Sequence, residues 1–172
     1  MKRKIFAAFL AVLCISSAAC GGSTPAQTTE KTQEAADAQP AKASFTASQV
    51  TEAVLSEITI NSAIQKGKDD LIAYFPDMDT AGLTDVSYYM CASGAYPDEI
   101  AVFIFESDDL ASAGKAAVES RFEKQKSIYE SYTPEEMYKL DDAVIEVKGN
   151  CIFYSVTENN SRASEIMNGF IG

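Results

Sequence analysis

Acidic residues recur in pairs along this chain: Asp69-Asp70, Asp77 and Asp79, Asp108-Asp109, Glu135-Glu136 and Asp141-Asp142. Paired carboxylates can ligate a divalent cation, or divide acid and base roles between them. Asp77-Met78-Asp79-Thr80-Ala81-Gly82 starts like a calcium loop, D-x-D-x-x-G. Yet Ala81 stands where a third oxygen ligand belongs, and Tyr88 stands where a bidentate Glu closes such a loop. The segment fails as an EF-hand, and the acidic pairs are expected as helix caps and solvated turns. No metal and no cofactor are expected. The 172 residues include no histidine. That removes Ser-His-Asp and Cys-His nucleophile pairs, and every His-ligated zinc or haem site.

Four further sets of residues carry chemical potential. Cys91 and Cys151 are the cysteines of the folded part, and a bridge between them would stabilise by roughly 4 kcal/mol in the loop-entropy model. A bridge needs both Cβ atoms on one sheet face, about 4 Å apart, and two buried thiols are the alternative. Activating either thiol as a nucleophile would fall to a lysine or a helix terminus. The segment Ser93-Gly94-Ala95-Tyr96-Pro97-Asp98 offers Ser93, Gly94, Tyr96 and Asp98 as candidate ligand-binding residues. Its Gly and Pro also serve as plain hairpin punctuation. Arg121, with Lys124, can pair a carboxylate or join a surface ladder with Glu123. Eight tyrosines suit stacking on sugars, or half-burial with the hydroxyl wet. No catalytic residue is assigned.

The start of the chain reads as an address. Lys2, Arg3 and Lys4 precede an apolar run over Ile5 to Ile15, which is too short for a membrane span of ~20 residues. Ser17-Ala18-Ala19-Cys20 then resembles the bacterial lipobox, with Ser17 where Leu is usual. Residues 1–19 are expected to be a lipoprotein signal peptide and Cys20 the lipidated mature N-terminus. Two acyl chains on one cysteine hold firmly where one holds weakly. The membrane is thus an expected partner through this anchor, on its outer face.

The composition narrows the rest. Fourteen basic against 25 acidic residues give a net charge of −11, which disfavours nucleic acid. Losing Lys2, Arg3 and Lys4 with the leader takes that charge to −14. Residues 21–44 contain no aromatic, Leu, Ile or Val, so 20–44 reads as a lipidated, disordered tether. Its coil reach is about 25–30 Å.

Residues 45–172 then form a single domain. Val50, Val54, Leu55 and Ile58 mark a first helix over 47–58, capped by Thr46 or Ser48. A shorter helix over 69–75 stops at Pro76. Strands are expected over 86–92 and 99–105, the latter apolar on both faces and so central. Ser107 or Asp108 caps a long helix over 110–129. Pro134 opens a short turn. A second hairpin, 143–148 and 151–157, turns at Gly149-Asn150, and a helix over 161–171 closes the chain. The expected class is α+β, in the order α-α-β-β-α-β-β-α. Four antiparallel strands in two hairpins carry helices on one face.

The run Tyr89-Met90-Cys91-Ala92-Ser93-Gly94-Ala95-Tyr96-Pro97-Asp98-Glu99-Ile100-Ala101-Val102-Phe103 resembles the hairpin of the clostridial lipoproteins that carry domain of unknown function 4358. Arg121-Phe122-Glu123-Lys124-Gln125-Lys126, Tyr132-Thr133-Pro134-Glu135-Glu136 and Leu140 to Asn150 continue the likeness. It implies an anaerobic Gram-positive source and a surface lipoprotein, and brings no activity, cofactor or catalytic residue. Such a source gives little oxidising help, which favours two buried thiols over a disulfide. The expected function is a non-enzymatic binding or accessory module for an extracellular ligand or partner protein. The alternative is a carboxylate-based hydrolase or transferase acting on an extracellular or cell-wall substrate, drawing on Asp98, Glu99, Asp141 and Asp142.

Overall fold

The computed structural model describes residues 44–171. The expected leader over 1–19, the expected lipidation site Cys20 and all of the expected tether except Ser44 lie outside the described residues.

Thr46 opens the first helix, α1 (Ala47–Leu55). Its side chain accepts from the Gln49 amide, and Gln49 returns a bond to the Thr46 amide. This reciprocal cap satisfies two N–H groups that the helix cannot. β1 (Ala63–Lys66) follows, then a 3-10 turn (Lys68–Asp70) leading into α2 (Leu71–Tyr74). β2 (Leu83–Cys91) and β3 (Glu99–Phe105) form a hairpin, and α3 (Asp108–Tyr132) starts at a Ser107 cap. A second 3-10 turn (Pro134–Glu136) leads into α4 (Met137–Asp141). β4 (Val144–Lys148), β5 (Cys151–Val156) and α5 (Asn160–Gly169) complete the chain.

The α+β class stands, but the sheet has five strands where four were expected. They run in the order β1-β2-β3-β5-β4, each pair antiparallel. The additional strand, β1, pairs Ala63 with Cys91 and Lys66 with Tyr88. Ala63-Ile64-Gln65-Lys66 has no alternating apolar face because it is an exposed edge, so no period-2 signal marks it. The short α4 also falls where only a turn was expected.

Helices cover both faces of the sheet, which corrects the expectation of one. Ala101, Phe103 and Phe105 of β3, with Ile152, Tyr154 and Val156 of β5, pack under α2, α3 and α4. The alternate residues Ile100, Val102, Ile104, Cys151 and Phe153 pack under α1 and α5. Successive side chains on a strand point to opposite faces, so the wholly buried β3 requires a layer on each. Close contact on the α3 face depends on Gly114. A Cβ there would lie 2.9 Å from Phe105 Cζ and 3.2 Å from Ile152 Cδ1.

Direction along the strands separates two ends of this domain. At one end the Ala47 amide donates to Asp85 Oδ2 at 2.8 Å, and Phe45 packs edge-on against Phe170. β2 then runs from Asp85 to Cys91, which is about 20 Å at ~3.3 Å per residue. At that far end lie residues 93–98. The C-terminal turn of α3 reaches the same end, where Tyr129 bonds to the 93–98 loop. The exit of β5 arrives there too, because Val156 pairs with Glu99.

Candidate functional site

Gly94 turns the β2–β3 hairpin with φ +66°, a backbone region that suits glycine. Ser93, Gly94 and Tyr96 are exposed at the tip. Asp98 differs from the other three expected ligand-binding residues, being only 1% exposed. Two interior groups hold this loop. The Tyr129 hydroxyl sits 2.9 Å from the Gly94 carbonyl and 2.8 Å from the Tyr96 carbonyl. The Lys139 ammonium, buried on α4, donates to Asp98 Oδ1 and Oδ2 at 3.1 and 3.0 Å and lies 2.8 Å from Glu136 Oε2. Its Nζ also faces the rings of Tyr96 and Tyr138, 5.3 and 5.8 Å from their centroids. One buried cation thus sits among two carboxylates and two aromatic faces. Burial raises the Asp98 carboxyl above its ordinary value, and Lys139 offsets only part of that. Burial works against the Lys139 cation, but Glu136 and Asp98 outweigh it and raise its pKa.

Glu99 anchors a second buried network inside the α3 layer. Its carboxylate accepts from the Tyr88 hydroxyl at 2.8 Å, from Gln125 Nε2 at 2.8 Å and from Arg121 Nε at 3.3 Å. Arg121 Nη2 also pairs with Glu99 Oε1. The guanidinium lies 5.5 Å from the Tyr74 ring centroid. Burial disfavours the Arg121 cation, yet Glu99 more than compensates and raises its pKa. Tyr154, buried beside this group, has its hydroxyl pKa raised by burial and then by Glu99; the hydroxyl makes no hydrogen bond of normal geometry. The surface ladder considered for Arg121 is replaced by an interior pair.

The other sequence candidates fall apart in space. Asp141 and Asp142 are exposed, and Asp141 pairs with Lys126 at 3.2 Å. Asp79 Oδ1 accepts from the Ala81 amide at 2.9 Å while Met78 enters the core, so the calcium-like stretch is a turn. Cys91 and Cys151 are both buried and free. They flank opposite ends of β3, since Cys91 donates its amide to Asp98 while Cys151 pairs with Ile104. Burial pushes the Cys151 thiol up to about 11. Burial acts likewise on Cys91, but the Ser93 hydroxyl and nearby loop N–H groups outweigh it and lower that thiol. Among the described residues, no group of three His, Cys, Asp or Glu side chains could hold a metal ion.

One cleft on the described surface, about 250 Å³, is lined by Lys68, Asp69, Ile72, Met78 and Thr80. A second, about 100 Å³, is lined by Tyr138, Asp142 and residues 157–161. The second lies at the hairpin-tip end of the sheet. There Asn160 Nδ2 donates to the Lys139 carbonyl at 2.8 Å and ties the start of α5 to α4. Sequence reasoning missed both buried networks and this cleft. Their members stand tens of residues apart, and no local pattern marks them. Sequence reasoning named Asp98, Glu99, Arg121 and Asp142 one by one but not their partners.

No curated protein and no solved structure matches this chain. A family model does match, over residues 56–157. It spans the five strands and the α2, α3 and α4 helices that carry both buried networks, and stops short of α5. With more than half of its length covered, the chain belongs to the family described as "Domain of unknown function (DUF4358)".

Proposed function

We propose that this protein is a non-catalytic binding module, tethered through Cys20 to the outer face of a cell membrane, whose partner-facing surface is the hairpin-tip end of its sheet. One observation carries the reading. Tyr96, Ile128, Tyr132 and Tyr138 are exposed by 38, 46, 71 and 54%, and all four belong to the end opposite Phe45. Large apolar side chains exposed singly need no explanation, but four gathered at one end suit an interaction site. Tyrosine is enriched at interfaces because its ring is apolar and its hydroxyl stays wet. The Tyr129 and Lys139 contacts fix the loop in advance, which lowers the ordering cost of binding.

The carboxylate-hydrolase alternative has less support. A catalytic acid or base must reach substrate protons, and Asp98 and Glu99 are each 1% exposed. Each also holds a buried base, Lys139 and Arg121 respectively.

Photo-cross-linking on whole cells tests the binding reading. The full chain carries a benzophenone side chain at position 138 or, for comparison, at position 72 in the other cleft. Discrete adducts from position 138 and none from position 72 are expected. Absence of adducts at 138, or equal labelling at both, would overturn the reading. Replacing Cys20 by Ala is expected to release the protein into the medium, and retention of that variant on the membrane would refute the anchor.

A further inference from the structure

We infer that the open edge of β1 pairs with the same edge of a second copy of this chain, joining two sheets into one antiparallel sheet centred on Ile64. The inference goes beyond the binding reading above and uses none of the residues assigned to the hairpin-tip end.

β1 is the margin of the sheet, with β2 on one side and no strand among the described residues on the other. The Ala92 amide donates to the Ser62 carbonyl at 3.0 Å, and Ala63 stands opposite Cys91. Hydrogen-bonded and non-hydrogen-bonded pairs alternate along an antiparallel ladder. Ile64 and Lys66 therefore bond inward to Met90 and Tyr88, while the N–H and C=O groups of Ala63 and Gln65 face out from the edge. Those groups make no hydrogen bond among the described residues. Proteins blunt such edges with proline, bulges or inward charges. Ala63-Ile64-Gln65 has none of these, and its register with β2 is unbroken. All three residues are exposed, the apolar Ile64 by 38%.

The spacing of the edge selects a copy of itself. Turned antiparallel about Ile64, a second β1 sets its Gln65 opposite Ala63 and its Ala63 opposite Gln65. Every outward N–H of the two residues then meets a carbonyl of the other copy. A slip of one residue would face them with residues already bonded inward. Ile64 meets its own symmetry mate in a non-hydrogen-bonded pair, where side chains approach most closely. Each copy thus covers the exposed apolar side chain of the other. Lys66 falls opposite the uncharged Ser62, so no like charges face each other across the join. The other edge lacks this fit. β4 is half-buried at every position, and pairing about its middle residue would set Glu146 against Glu146, a repulsive match. A strand of four residues offers far less than the ~1,600 Å² of a standard interface, so the pair forms in concentrated protein.

The test is disulfide cross-linking of the purified full chain at millimolar concentration. Cys14→Ala and Cys20→Ala leave the buried Cys91 and Cys151 as the native thiols. Ile64→Cys places two thiols across the symmetry axis, close to the Cβ spacing of about 4 Å that a bridge needs. Gln65→Cys places them two residues apart along the strands, beyond the ~7 Å Cα limit for bridging. Ile64→Cys is therefore expected to form linked dimer about tenfold faster than Gln65→Cys. Adding Gln65→Pro removes an outward donor and no bond to β2, and is expected to slow the Ile64→Cys bridge about fivefold. Equal rates at positions 64 and 65 would reduce the bridge to random collision and overturn the inference. So would absence of dimer from Ile64→Cys, or a folded proline variant that bridges at the unaltered rate. If the proline variant does not fold, the comparison of positions 64 and 65 decides alone.

Discussion

Tyr129 reaches from the last turns of α3 to the β2–β3 hairpin, and its hydroxyl lies within 2.9 Å of the Gly94 carbonyl and 2.8 Å of the Tyr96 carbonyl. The two ends of this contact are more than thirty residues apart. A hairpin tip that would otherwise be free in solvent is held by the longest helix. Tyr129→Phe removes one donor shared by two acceptors, at a cost of about 1 kcal/mol. The Gly94 amide, which donates to Cys91 O, is expected to exchange with deuterium about fivefold faster. Unchanged exchange at the tip would mean that the loop holds itself.

Lys139 is the hinge of the second holding contact. Lys139→Met leaves Asp98 and Glu136 facing a neutral side chain, and such a break of a buried pair costs about 3–5 kcal/mol. Asp98→Asn is expected to cost less, because burial already raises the Asp98 carboxyl despite Lys139. Combining Asp98→Asn with Lys139→Met is expected to recover much of the loss in urea unfolding. Simple addition of the two single effects would show that the groups are not coupled.

High pH is expected to unfold the protein. The Tyr129 hydroxyl is pushed up to about 12, by burial and then by Glu99, and the Cys151 thiol to about 11. Lys139 is raised as well. In each case the folded state keeps a proton that the unfolded chain has released. Stability is therefore full below the unfolded values, near 9 to 10, and falls as pH rises through the folded ones. Urea midpoints measured from pH 8 to pH 12 are expected to drop steeply above pH 10. A flat profile across that range would contradict these environments.

Gly114 lets α3 approach the sheet. An alanine Cβ would meet Phe105 Cζ at 2.9 Å and Ile152 Cδ1 at 3.2 Å, and both of those side chains are fully packed. Gly114→Ala improves helix propensity by about 1 kcal/mol, but overpacking costs about 1–3 kcal/mol. A net loss with an unchanged denaturant slope is expected in urea unfolding. A raised midpoint would show that the layer can open without strain.

Much of this fold is written in local pattern. The run Ile100 to Phe105 marks a central strand, Ser107 marks the start of α3, and Gly149-Asn150 marks the turn of the second hairpin. The same run held a stronger message than the one-face expectation drew from it. Apolar residues at every position of a strand call for cover on both sides, and α1 and α5 supply it. β1 left no trace because an exposed four-residue edge needs neither alternation nor burial. Of the candidate site, the sequence marked the exposed tip, Ser93, Gly94 and Tyr96, and not the buried groups that hold it. Asp98 looked available because its partner Lys139 lies 41 residues away. Arg121 looked like a surface charge because Glu99 lies 22 residues away. Pairings at such separations are set by the packing of α3 and α4 on the sheet, which no window of sequence contains.

The central claim is that the hairpin-tip end of the sheet is the binding face. It is tested most directly by the whole-cell cross-linking comparison of positions 138 and 72. Discrete adducts from position 138 and none from position 72 are the expected result. Equal labelling at both positions, or no adducts from position 138, would contradict it.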